Sequence, residues 1–216
     1  MNDIIKAATE TFSKQGSSAI GSAINLISQP ATNYLSDWIG YKGGDALRVR
    51  RLERAARLID EARERLAKRG IDAQEPSPSV AIPLIETASL EERPEIAEMW
   101  LKLLAAAHDP ATAKRVSKFF IEAIGKMEPD DALILNAIYD LEDERKSCNW
   151  KVDELRICLN GNFSWSQIVI SFTNMVGIGL LQPINHGAGQ IEYKEVTLSA
   201  RGRELLRLLG KTDQHV

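Results

Sequence analysis

The chain has 216 residues, of which 44% are hydrophobic and 26% are charged, and its formal net charge is −3. This composition is typical of an ordinary globular protein, and it excludes a chain that is disordered or basic throughout. No window offers the roughly 20 apolar residues that a membrane-spanning helix needs, and Asp3 stands where a signal peptide would carry cations. Cys148 and Cys158 form no Cys-x-x-Cys pair, which favours the reducing cytoplasm as the location of the protein.

Residues 1–71 are predicted to form an N-terminal amphipathic arm that continues into a long charged helix. In the arm, apolar residues recur at helical spacing, and no charged residue occurs between Lys14 and Asp37. Such a helix suits the surface of another protein or the interface of a membrane, although the lack of cations disfavours strong binding to anionic lipid. We expect docking to a protein partner or peripheral contact with the inner membrane through Ile20, Ile24, Ile27, Tyr34, Leu35 and Trp38.

The long charged helix is predicted over residues 45–69, and Gly70 ends it. Between Lys42 and Arg69, ten Lys and Arg residues outnumber five Asp and Glu residues, which leaves a local excess of +5. A solvated helix with pairs of opposite charge explains these residues without any ligand. The alternative is a basic face that binds the phosphate groups of lipid or nucleic acid. The arginines of that face are Arg50, Arg51, Arg54 and Arg57.

Residues 72–91 contain three prolines and are predicted to be a linker. Residues 92–145 are predicted to form a helical core of three helices, with Pro94 and Pro129 each at a helix start. The third helix is apolar nearly all round, which is typical of a central helix. The residues expected to be buried in this core include Ile96, Met99, Trp100, Leu103, Phe119, Phe120, Ile124, Leu133, Ile134 and Ile138.

Residues 146–210 are predicted to form a winged-helix-like unit, followed by a loose tail over 211–216. A capped helix over 164–176, a β-hairpin around the loop 185–189 and a last helix after Ser199 make up this unit. The fold class is therefore mainly α: a helical bundle with a C-terminal winged-helix-like unit, which contains a small β-hairpin, and an N-terminal amphipathic helical arm. The buried stripe of the capped helix is expected to be Trp165, Ile168, Val169, Phe172 and Val176.

The capped helix occupies the place of a recognition helix, but it lacks the charge that DNA binding requires. Residues 159–179 contain no Lys or Arg. Because contacts to phosphate supply most of the affinity for DNA, this helix is a poor groove binder. Nucleic acid is therefore not the expected partner. The polar residues that the helix could offer to bases are Ser166, Gln167, Ser171, Thr173 and Asn174.

No catalytic constellation, cofactor site, metal site or small-molecule substrate is predicted. His108 ends a helix, where exposed carbonyl groups explain its presence. The acidic residues Glu128, Asp130 and Asp131 surround a helix start, which gives them a structural role without a metal. The pair Glu192 and Lys194 forms only a fragment of a nuclease pattern. A nuclease whose site is assembled from scattered acidic residues stays open as an alternative.

Three phrases in the helical core, together with the end of the chain, resemble a known family. They are Trp-x-x-Leu-Leu-Ala over 100–105, Phe-x-x-x-Ile over 120–124 and Met-Glu-Pro-Asp-Asp-Ala over 127–132, and the ending spans 179–206. Together they resemble the bacterial abortive-infection alpha (Abi-alpha) family, in which the third phrase usually opens with Leu. The resemblance covers about residues 75–210 and implies a role in phage resistance. These phrases are packing and capping signals, so the resemblance assigns no catalytic residue.

The resemblance and the residues together lead to one functional expectation. We expect a non-enzymatic cytoplasmic phage-defence protein that acts through self-association as a homo-oligomer, through a protein partner, or through membrane contact. A nucleic-acid-binding regulator that uses the basic helix over 48–69 is the alternative.

Overall fold

The computed structural model describes residues 45–145, 149–184 and 194–210. The protein is mainly helical, with a small antiparallel sheet of three strands in its C-terminal part. The predicted fold class is therefore confirmed. The predicted amphipathic arm and the tail over 211–216 lie outside the described residues.

The chain divides into two compact units, and each takes residues from two separate stretches of sequence. The first comprises the described parts of Met1–Glu91 together with Trp100–Lys118. The second comprises Glu92–Met99 together with the described parts of Phe119–Val216. The predicted division into residues 1–71, 72–91, 92–145, 146–210 and 211–216 stays a prediction.

The first unit is built on the long charged helix α1, Asp45–Lys68. The side of α1 that faces the core carries alanines between the larger apolar residues, and Arg54 Nη1 donates a 2.9 Å hydrogen bond to the carbonyl oxygen of Glu91. The helix ends in a turn in which the Ile71 N–H donates to Leu66 O at 3.0 Å and Gly70 has a φ of 70°. The buried residues of α1 are Ala55, Ala56, Ile59, Ala62 and Leu66.

The predicted linker contains a helix, which corrects the interpretation of its prolines. Helix α2, Pro78–Ala88, begins with a proline at its first turn, and Pro83 lies inside it. The missing N–H of Pro83 removes one helical hydrogen bond, and the burial of Leu84 and Ile85 offsets this loss. The buried residues Ala81, Leu84, Ile85 and Ala88 follow the spacing of one helix face.

Helix α3, Pro94–His108, begins at the predicted proline, and a short 3-10 turn, Ala113–Arg115, follows it. The second unit then contains most of the remaining elements in chain order. They are α4 Lys118–Gly125, α5 Pro129–Arg145, β1 Asn149–Lys151, α6 Val152–Cys158, α7 Trp165–Ile178, β2 Leu181–Pro183, β3 Glu195–Leu198 and α8 Ala200–Leu208.

Strand β3 lies at the centre of the sheet and pairs antiparallel with both neighbours, in the order β1-β3-β2. Trp150 of β1 pairs with Val196, and both side chains are fully buried. Pro183 of β2 faces the same residue from the other side, at the sheet edge that a proline tolerates. Strand β1 was not predicted, because its three residues lie in a polar stretch and only Trp150 contributes to the core.

Several side chains that we expected in the core are more exposed than the helical spacing indicated. Leu133 on α5 and Trp165 on α7 are 44% and 39% exposed, and Phe119 is half-buried. Trp165 stands at the first position of α7, where the helix has only begun to contact the core. Of the other residues of the predicted stripe, Ile168 and Phe172 are fully buried and Val169 and Val176 are half-buried, whereas Met175 is a fully buried residue that was not predicted.

Candidate functional site

Helix α7 is held firmly at both ends. At its start, the Ser164 side chain accepts a hydrogen bond from the Gln167 N–H, and the Gln167 side chain accepts one from the Ser164 N–H at 3.0 Å. These reciprocal bonds form a capping box. At its end, Gly179 has a φ of 92°, the left-handed conformation that glycine adopts without strain. The predicted cap at Ser164 is therefore confirmed.

The polar side chains of α7 are mostly bonded within the protein. Gln167 Nε2 donates to Asp130 at 3.2 Å, and Asn174 Nδ2 donates to the carbonyl oxygen of Lys126 at 3.3 Å and to Asp131. Thr173 Oγ1 donates to Val169 O at 2.8 Å, one helical turn before it. Ser171 is buried. Of the five polar residues that could have contacted bases, Gln167, Thr173 and Asn174 are thus bonded internally, Ser171 is buried, and Ser166 is exposed.

The outward face of α7 is uncharged and carries one large apolar side chain. Ile170 is 68% exposed, and Ser166, Thr173 and Gly177 share its face at the spacing of successive helical turns. A Cβ atom added at Gly177 would meet no atom within 4 Å, so the surface is open there. The face therefore suits an uncharged partner surface better than the phosphate backbone of a nucleic acid.

Sequence reasoning missed Ile170. The predicted buried stripe of α7 does not include Ile170. Because successive residues of a helix are rotated by 100°, Ile170 lies on a different side of α7 from that stripe. The spacing along the helix is the signal that could have identified Ile170 as exposed. It lies two residues from both Ile168 and Phe172, which are fully buried, and residues two apart do not share a helix face.

The four arginines of the predicted basic face have different environments. Arg54 is half-buried and holds the Glu91 carbonyl, Arg51 is half-buried, and Arg57 is exposed. The side chain of Arg50 lies outside the described part of the structure. The structure thus brings Arg54 into a packing role and leaves Arg57 on the surface of α1.

Two of the basic residues of α8 also have partners within the second unit. The Arg201 guanidinium lies 4.4 Å from the centre of the Phe119 ring, a cation–π distance, and Arg207 lies 3.8 Å from Glu204. Arg203 is half-buried. These contacts give two of the three arginines of α8 a partner within the unit.

The residues proposed to contact a membrane or partner, namely Ile20, Ile24, Ile27, Tyr34, Leu35 and Trp38, lie outside the described residues. In the part of the chain that the structure describes, no helix is long and apolar enough to cross a membrane.

The acidic residues around Pro129 have structural roles. Asp131 is 2% exposed and accepts a 2.9 Å hydrogen bond from the Glu128 N–H, and Glu128 pairs with Arg93 at 2.7 Å. Asp131 therefore stabilises the first turn of α5, as carboxylates at helix starts do. Among residues 45–145, 149–184 and 194–210, no group of three or more His, Cys, Asp or Glu side chains is arranged to hold a metal ion.

His108 is buried at the end of α3, and its Nδ1–H donates to the carbonyl oxygen of Leu104 at 2.8 Å. Burial lowers the pKa of His108, and the nearby Arg63 adds to this effect, whereas the Leu104 hydrogen bond and Glu75 oppose it. The imidazole therefore holds the helix end in its neutral form. His186, His215 and Cys148 lie outside the described residues, and the Cys158 thiol is half-buried.

A family model described as abortive infection alpha matches residues 51–210. The chain belongs to the abortive infection alpha family. No curated protein and no solved structure is significantly similar to it.

The phrases that suggested this family from the sequence are packing elements in the structure. Trp100, Leu103 and Leu104 of the first phrase are at most 1% exposed. Phe120 and Ile124 of the second are buried, and Met127 opens the third from a fully buried position before Pro129 starts α5. The abortive infection alpha phrases thus specify the core, and the outward face of α7 is distinct from them.

Proposed function

We propose that this member of the abortive infection alpha family is a non-enzymatic phage-defence protein that binds another protein through the outward face of α7. The observation that carries the proposal is the chemistry of this face. It is uncharged and exposes Ile170, and Gln167, Thr173 and Asn174 of the same helix are bonded internally. An exposed apolar side chain on a rigid helix can bury itself against a partner without first desolvating a charge.

The order of elements in the second unit supports the location of this surface. Helix α5, strand β1, helices α6 and α7, and strands β2 and β3 follow one another as in a winged helix, where α7 takes the place of the recognition helix. In the proposed function, a helix in that place contacts protein instead of the major groove. The N-terminal arm is proposed to contribute to self-association or to peripheral contact with the inner membrane.

The test is phage plating on bacteria that produce the protein, with Ile170→Glu as the variant. A charge at the centre of the face is expected to reduce protection by about tenfold or more, because a partner would have to bury it unpaired. Leu90→Glu is the matched control, since Leu90 is also exposed and lies in the first unit, far along the chain from α7. Protection that survives Ile170→Glu at the wild-type level would contradict the use of this face.

The arm is tested by deleting residues 1–41. We expect loss of phage protection or a change in assembly state by light scattering. If both stay unchanged, the arm has no part in the proposed function.

A nucleic-acid-binding regulator is the second candidate, and the local charge excess of α1 favours it. Binding through Arg51 and Arg57 would depend on phosphate contacts and would weaken steeply as salt rises. Mobility shifts with duplex DNA at about 50 mM salt, for the wild type and for Arg57→Ala, test this candidate. The absence of any shift at low salt would remove it.

A further inference from the structure

An open cavity of about 460 Å³ lies in the first unit, where the chain turns back after α1. The last turns of α1 form one wall, and the residues after the Gly70 turn form the other. Its volume lies within the range of small-molecule sites. The lining residues are Arg63, Ala67, Gly70, Ile71, Asp72 and Ala73.

Arg63 is an unusual residue for a wall of this cavity. Its guanidinium makes no hydrogen bond or ion pair with any described residue, and its Nε atom is buried without an acceptor. Burial lowers the pKa of Arg63, and the negative charge of Asp60 opposes this shift. A half-buried guanidinium without a partner is costly to the fold, so a ligand that supplies an acceptor would remove that cost.

Asp72 provides the opposite charge on the other wall. Its carboxylate is exposed, and no hydrogen bond or ion pair joins it to the described residues. The cavity therefore offers one cation and one anion that do not neutralise each other by contact. A simple anion such as phosphate would be attracted by Arg63 and repelled by Asp72, whereas a ligand with both charges would match each of them.

We infer that this cavity binds a small zwitterion of the α-amino acid class. The ligand's carboxylate accepts hydrogen bonds from Arg63, and its ammonium group donates to Asp72, two charge-assisted contacts of fixed direction. Ile71 and the alanines of the walls provide apolar surface for the ligand's side chain. The inference goes beyond the proposed function, since the cavity and the outward face of α7 belong to different units.

The experiment uses the purified full chain and measures binding of each of the twenty standard L-amino acids by thermal shift and calorimetry. We expect at least one of them to raise Tm and to bind in a saturable way. Arg63→Met and Asp72→Asn are each expected to weaken that binding by about tenfold or more. Arg69→Met and Glu61→Gln are the matched controls, because both residues are exposed and neither lines the cavity.

Modified ligands show which charge meets which residue. The N-acetyl derivative of the bound amino acid lacks the ammonium charge, so its binding should be insensitive to Asp72→Asn and still sensitive to Arg63→Met. The amide derivative lacks the carboxylate and should show the reverse pattern. Each residue variant combined with the matching ligand derivative forms a cycle that isolates the interaction energy of one residue with one charge of the ligand.

Three outcomes would overturn the inference: no amino acid binds, binding is unchanged in both cavity variants, or the controls lose it equally. The folding of Arg63→Met is checked by its Tm without ligand, which should equal or exceed that of the wild type, because the variant removes an unpaired buried nitrogen. Ile170→Glu should bind the amino acid normally, so failure of this inference and failure of the proposed function are distinguishable.

Discussion

At the residue scale, His108 helps to hold the end of α3 through both its ring and its main chain. The Nδ1–H of His108 donates a hydrogen bond to the Leu104 carbonyl oxygen. The carbonyl oxygen of His108 itself accepts a 2.8 Å hydrogen bond from the Gln74 N–H. Both bonds hold the end of α3 and the segment that precedes α2. The ring is buried beside Arg63, which disfavours its protonated form.

This environment predicts a pH dependence of stability. Because burial lowers the pKa of His108 in the folded state below the ordinary value of 6.5, the unfolded chain takes up the proton first. The contribution of His108 is therefore fully present above pH 6.5 and is lost as the pH falls towards its folded pKa. Urea unfolding at about pH 7.5 and about pH 5.5 should show a larger loss of stability for the wild type than for His108→Gln. Equal losses in both proteins would contradict this prediction.

Two glycines form a matched pair for a second prediction. A Cβ atom at Gly202 would lie 2.2 Å from the carbonyl oxygen of Leu180, whereas one at Gly177 would touch nothing within 4 Å. Gly202→Ala should therefore destabilise the protein by about 3 kcal/mol, since backbone has to move. Gly177→Ala should stabilise it by about 0.5–1 kcal/mol, because alanine is the better helix former. Denaturant unfolding measures both, and a neutral Gly202→Ala would show that the Leu180 backbone yields easily.

At the element scale, the start of α5 and the body of α7 are joined by one buried carboxylate. Asp131 bonds both the Glu128 N–H and the Asn174 amide, so it caps one helix and fixes the other. This arrangement positions the outward face of α7 and uses the Asn174 amide for a bond within the protein.

We predict that Asp131→Ala lowers the free energy of unfolding by about 2 kcal/mol, because a cap is lost and the Asn174 amide loses its carboxylate partner. Asp130→Ala is the control. Asp130 is bonded by Gln167 at an exposed position, so its loss should cost about 0.5 kcal/mol. Similar costs for the two variants would mean that burial of Asp131 contributes nothing.

Helix α2 is a helix that sequence reasoning missed, and the reason is local. Pro76, Pro78 and Pro83 in eight residues indicate an extended segment when read by themselves. The spacing of Ala81, Leu84, Ile85 and Ala88 indicates a helix, and burial of that face outweighs the single hydrogen bond lost at Pro83. The balance between the two signals depends on a neighbouring surface that the local sequence does not specify.

At the scale of the whole molecule, α1 belongs to the core of the first unit. Ile59, Ala62 and Leu66 are at most 1% exposed. A chain that begins at Asp72 therefore lacks part of a core, whereas a chain that begins at Asp45 keeps it. This difference determines which truncation can test the amphipathic arm.

We predict that the chain beginning at Asp45 unfolds cooperatively, and that the chain beginning at Asp72 loses stability by several kcal/mol or aggregates. Circular dichroism during heating compares the two. Mass in solution, with and without liposomes, then tests the arm on the Asp45 chain alone. If the Asp72 chain folds as stably as the Asp45 chain, the burial of α1 does not stabilise the first unit.

The helical class, most helix starts and the family follow from the amino-acid sequence alone. These depend on short-range chemistry: Ser164 and Ser199 cap α7 and α8, Pro94 and Pro129 begin α3 and α5, and the phrase at 100–105 packs as its spacing indicates. The absence of Lys and Arg over 159–179 is likewise a property of the sequence alone.

Which side chains remain available for binding depends on the tertiary structure. It showed that Gln167 and Asn174 are bonded internally, that Ile170 is exposed, and that Arg63 and Asp72 line one cavity. The physical reason is that hydrogen-bond partners and burial depend on residues distant in sequence, here the start of α5 for α7. Periodicity along one helix specifies which residues share a face, but the contacts made by that face are fixed only when the other elements pack against it.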